Sequence, residues 1–135
     1  MRFLACLLLV AAAACRSDGP TDHTPVSLAG TWRLQTVNGN GLPFVLPQTV
    51  VDKMEVISDE LTVAASGTFT RVTQIRVTES GQVSTDPVED AGSYTLNGTA
   101  VTFTFASDGS TGTGSLSGNS LSVAAGGLAF VYRKQ

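Results

Sequence analysis

Histidine and tryptophan each occur once in the 135 residues, cysteine and methionine twice, and only 14% of the residues are charged. Each shortage closes a line of chemistry. The one histidine, His23, lies in "RSDGPTDHTP", a polar stretch with two prolines and a glycine. A segment of that composition reads as a flexible tether, which holds no site geometry. With no other histidine and no Gly-x-Ser-x-Gly elbow, the many serines lack a base to activate them. "GTGSLSG" is glycine-rich but lacks the lysine of a phosphate loop. The only lysines are Lys53 and Lys134, and the arginines are scattered. There is no basic patch, so nucleic acid is not an expected partner. Glu55, Asp59 and Glu60 are the nearest approach to a glycosidase-like carboxylate pair, but charges along a strand or turn are expected to be solvated. "DPVED" gathers Asp86, Glu89 and Asp90 without the spacing of a calcium loop. No catalytic residue, metal or cofactor is expected. The formal charge of −3 reads as a solubility feature.

Long apolar runs are also missing. The longest, Phe3 to Ala14, has 12 residues, too few to span a bilayer but suited to the core of an export signal. Arg2 supplies the positive start, and Ala12-Ala13-Ala14 supply the small residues before a cleavage site. Residues 1–14 are therefore expected to be a signal peptide. Cys15 follows the alanines directly, and the arrangement resembles a bacterial lipoprotein signal. That resemblance implies cleavage before Cys15, acylation of Cys15, and a membrane contact made through the N-terminal lipid. With Arg16 rather than aspartate next in line, the family's sorting rule implies the outer membrane. Ordinary cleavage to a free periplasmic or secreted protein is the alternative. Cys6 lies in the leader, so the mature chain keeps one cysteine and has no internal disulfide. Residues 15–27 are expected to be the acylated cysteine and its tether.

From Leu28 onward the pattern is that of strands. Apolar residues alternate with hydroxyls, the period-two signal of half-buried β-structure. "VTFTF" puts Val101, Phe103 and Phe105 on one face and Thr102 and Thr104 on the other. In "GTFTRVTQIRV" the alternation holds except that Arg71 falls on the apolar face. Asn38-Gly39, Ser80-Gly81, Asn97-Gly98, Gly118-Asn119 and Gly126-Gly127 mark turns, and Asn-Gly suits a two-residue hairpin. The predicted strands cover about 30–37, 53–64, 67–78, 91–96, 100–106, 111–117, 120–125 and 128–134, with a bulge expected near Ser58-Asp59-Glu60. Val83 to Asp90 is expected to be an acidic loop. Gly41 to Asp52 is expected to be a longer loop or lid. The fold class is all-β. Serial hairpins with one apolar face point to an eight-stranded antiparallel up-and-down barrel over residues 28–135, with a sandwich as the rival arrangement.

"GTW", Gly30-Thr31-Trp32, preceded by Leu28, resembles the Gly-x-Trp that opens the first strand of lipocalins. "GTWRLQTVNGNGLP" is similar to the opening of the lipocalin-like domains of small bacterial lipoproteins. The resemblance implies that Trp32 plugs the closed end of the barrel, with Gly30 beneath it and Arg133, from the last strand, across it. Phe69, Tyr94, Phe103, Phe105, Phe130 and Tyr132 are then candidates to line a ligand cavity, or else to fill a core. Phe44 and Leu46, in the proline-containing loop, are candidates to cover it. The expected role is a non-enzymatic, monomeric binder of a small hydrophobic ligand at the cell envelope. The alternative is a solid barrel acting as a protein-interaction module or protease inhibitor.

Overall fold

The computed structural model describes residues 27–47 and 50–135. The expected leader, Cys15, His23 and the tether up to residue 26 lie outside the described residues, as do Gln48 and Thr49 of the expected lid. Nine strands follow one another: β1 (Gly30–Val37), β2 (Phe44–Val45), β3 (Lys53–Val63), β4 (Thr68–Glu79), β5 (Gln82–Asn97), β6 (Ala100–Phe105), β7 (Thr111–Ser117), β8 (Ser120–Ala125) and β9 (Leu128–Lys134). From β3 to β9 each strand pairs antiparallel with the next, and β1 pairs with both β9 and β3. That double pairing closes an eight-stranded barrel. The two-residue β2 lies outside the ring, against Val56 and Glu55 of β3.

The alternation read from the sequence becomes the inside and outside of this cylinder. Trp32, Leu34, Leu61, Val63, Phe69, Val101, Phe103, Leu116, Leu121, Val123, Phe130 and Tyr132 all turn inward and form one buried cluster. Small residues let the wall close around them. Gly114 of β7 sits so near the Ser122 carbonyl and the Val101 side chain that a Cβ there would collide with the neighbouring backbone.

Trp32 seals one end and is fully buried. Its Nε1–H donates to the Leu28 carbonyl at 2.8 Å, which satisfies the one polar atom of the indole. The cation over the ring is Lys134, whose Nζ stands 5.4 Å from the ring centroid and donates to the Ser27 carbonyl at 2.7 Å. Arg133, expected in that role, is exposed. The reason is register. Trp32 pairs with Lys134, and Arg33 pairs with Arg133. Directly paired residues share a face, so Lys134 goes in with the tryptophan and Arg133 goes out with Arg33. Gly30, at φ 134°, passes under the lysine, and a Cβ there would come within 2.9 Å of Lys134 Cε.

Two further expectations are corrected, and one is met. Val83 to Asp90 is not a loop but the first half of β5, paired residue by residue with β4. The bulge expected near Ser58 is present, as a register shift in β3 between Val56 and Ser58. Asp59 is not solvated; its side chain is wholly buried. The first half of β5 extends beyond the ring, because β6 takes up pairing only at Gly92. Residues 82–91 therefore form a sheet edge.

Candidate functional site

The strand directions give the barrel two unlike ends. The Trp32 end carries the β3–β4, β5–β6 and β7–β8 turns. The opposite end carries the long β1–β3 connection, the β4–β5 turn, the β6–β7 loop and the β8–β9 turn.

Polar side chains meet inside the barrel wall. Asp59 of β3 accepts a hydrogen bond from Arg71 Nε of β4 at 2.6 Å and another from Thr73 Oγ1 at 3.0 Å. The Tyr132 hydroxyl of β9 stands 3.4 Å from the same carboxylate oxygen. Burial pushes the Tyr132 phenol well up, so it keeps its proton and donates. All these donors converge on Oδ2, and Oδ1 is buried without a hydrogen-bond partner among the described residues. Arg71 is the residue that broke the apolar alternation in the sequence. It lies in register with Leu61 on the inner face, is only 19% exposed, and has its guanidinium carbon 5.1 Å above the Phe130 ring. A second ion cluster lies further along β3. Hydrogen bonds from Arg76 and Lys53, each 2.8 Å long, hold the Glu55 carboxyl down at about 2.

Aromatic rings pack beside Arg71. Phe69 meets Phe103 and Phe105 edge-on, at centroid distances of 5.2 and 5.5 Å. With Leu61, Val123, Ala125, Phe130 and Tyr132 they enclose a cavity of about 20 Å³, room for about one water molecule. Toward the open end, and sharing Phe105, Ala125 and Phe130 with this space, lies a depression of about 260 Å³, floored by those residues and Leu128 and reached by Arg71, Asp90 and Asp108. Hydrogen bonding from Ser110, including its backbone N–H at 2.9 Å, keeps the Asp108 carboxyl below its ordinary value. A wider cleft of about 620 Å³ opens where β5 and β6 part, along Val72, Glu89, Asp90 and Ala106.

Of the candidate ligand residues, Phe69, Phe103, Phe105 and Tyr132 come together around the cavity. Tyr94 does not line it. Its ring stands 6.3 Å from that of Phe103, and its hydroxyl donates to the Ala64 carbonyl in the β3–β4 turn, at the Trp32 end. Phe44 and Leu46 are half-buried against the core cluster, but they line neither the cavity nor the depression. Phe130, a candidate for the interior, lines both spaces, and Leu128 and Ala125 join it in the depression without a sequence signal of their own. Both faces of "LAFVYRK" are partly apolar, which hides the inward one, whereas the anomaly at Arg71 was a visible signal. Among the described residues, no three His, Cys, Asp or Glu side chains converge in a way that would hold a metal ion.

A family model described as a lipocalin-like domain matches residues 28–124. Among solved structures, the chain is similar to an uncharacterized protein from Bacteroides eggerthii DSM 20697, with 16% identity, a TM-score of 0.46, and coverage of 81% of this chain and 100% of that one. No curated protein matches.

Proposed function

The chain belongs to the lipocalin-like domain family, and from that premise we propose that it is a non-catalytic binding protein of the cell envelope that takes a small apolar ligand at the open mouth of its barrel. The observation that carries this reading is that the mouth and the aromatic cavity share their wall. Phe105, Ala125, Phe130 and Arg71 line both. Apolar depressions at barrel mouths, with a few polar groups at the rim, are where such folds hold small molecules. The enclosed space admits only about one water, so the ligand sits in the mouth and not deep among the rings. A lipid on Cys15 would tether the barrel to the outer membrane, and two or three acyl chains anchor stably where one does not.

The small size of the cavity also favours a second reading, in which the barrel is a solid scaffold whose surface contacts a protein partner. A mouth-filling variant separates the two. Ala125 is half-buried and lines the depression. The neutral dye N-phenyl-1-naphthylamine is expected to bind one per barrel with a rise in fluorescence, and Ala125→Trp is expected to abolish the rise while leaving the fold intact. Dye binding that survives the tryptophan, or no binding by the unaltered protein, would favour the scaffold. For the anchor, mass spectrometry of protein from its own host is expected to show acylated Cys15, and Cys15→Ser is expected to release the protein from the envelope. An unmodified cysteine would remove that part of the proposal.

A further inference from the structure

The mouth is apolar inside and acidic at its rim. Asp90 and Asp108 both face the depression floored by Phe105, Ala125, Leu128 and Phe130. Glu89 stands beside Asp90 in the adjoining cleft. One cation reaches this space, Arg71, and it is already bound to the buried Asp59. Arg71 also stands opposite Asp90 in the β4–β5 ladder, so this one cation faces the carboxylates of Asp59, Asp90 and Asp108 together, and the mouth keeps a net negative charge. Among the described residues lining the depression and the cleft there is no other lysine, arginine or histidine.

From this charge pattern we propose that the mouth selects a small apolar amine. The hydrocarbon body would lie in the cup over Phe105 and Phe130, and the ammonium would stand at the rim between Asp90 and Asp108. A fatty acid in the same place would bring a carboxylate up to carboxylates of its own sign, which opposes binding. A neutral alcohol would gain the apolar contact alone. The inference rests on the reading of the mouth as an apolar binding site, and it adds the sign of the ligand's charge.

Calorimetric titration with three probes of equal chain length, octylamine, octanol and octanoate, tests it. Octylamine is expected to bind on the order of tenfold tighter than octanoate at low salt, with octanol between them, the scale on which an ammonium–carboxylate contact acts near a protein surface. Asp90 Oδ1 accepts from the Ala91 N–H and Asp108 Oδ1 from the Ser110 N–H, both at 2.9 Å. Asn keeps each of these acceptors and removes the charge. The double variant Asp90→Asn, Asp108→Asn is expected to bring octylamine to the affinity of octanol and to leave octanol itself unchanged. Octanol binding with no preference for the amine, or a preference that survives the double variant, would overturn the amine proposal alone. Failure of all three probes to bind would overturn both it and the apolar mouth.

Discussion

Trp32 and Lys134 meet because the β1–β9 ladder sets them opposite each other, and that single register decision allots the roles of two adjacent basic residues. The consequences are graded. Trp32→Ala is expected to cost about 3–5 kcal/mol, as for other buried aromatic truncations. Lys134→Ala should cost about 0.5–1 kcal/mol through the lost contact with the indole face. Arg133→Ala, on the outer face, should change stability by less than about 0.5 kcal/mol. Urea unfolding of the three variants checks the order, and an Arg133 effect larger than that of Lys134 would refute the register argument. Asp59 poses a different residue-scale problem. It holds Arg71 in the wall of the barrel with its own side chain fully buried. Asp59→Asn removes the buried, hydrogen-bonded counter-charge of the guanidinium and is expected to cost about 3–5 kcal/mol, whereas Asp59→Leu combined with Arg71→Met should come close to neutral. A double replacement as damaging as the single one would show that the pair is needed for more than mutual compensation.

At the scale of elements, the first half of β5 stands out. Its residues 82–89 are exposed, and its outer edge has no strand beside it until Gly92 meets Phe105. Bare edges invite pairing with other chains, and this one carries the usual deterrents. The Ala106 N–H donates to the Ala91 carbonyl, so odd-numbered residues of β5 turn their backbone groups outward. Pro87 therefore sits where its missing N–H faces the open edge, leaving the ladder to β4 intact. Asp86, Glu89 and Asp90 add like charge. Replacing Pro87 by Val and Glu89 by Thr is expected to increase self-association in sedimentation velocity relative to the unaltered protein, aided by the exposed Val83 and Val88. A variant that associates no more than the unaltered protein at high concentration would show that the edge is protected by something else. The same segment explains where the sequence stopped being readable. "VTFTF" and the Asn97-Gly98 turn announce β6 and its hairpin because burial imposes period two. Val83 to Asp90 has no buried face, contains a proline, and is held by backbone pairing to β4 alone, so side-chain pattern carries no trace of it. Strand existence was legible wherever the core demanded it. Register was not, because the choice between Lys134 and Arg133 depends on a partner strand about a hundred residues away.

For the whole molecule, the decisive features are closure and asymmetry. β1 pairs with both β9 and β3, one end is stopped by a fully buried indole, and the other opens above Phe105 and Phe130. The aromatic content was plain in the sequence. That most of it fills the interior follows from packing density and from barrel diameter, neither of which a linear pattern displays. Mapping of backbone amide NMR shifts during titration with octylamine bears on this arrangement most directly. Changes are expected at Phe105, Asp108, Ala125, Leu128 and Phe130, with the Trp32 indole N–H unmoved. Changes centred on Trp32 and Lys134, or on the free edge of β5, would contradict a barrel that is stoppered at one end and receives its ligand at the other.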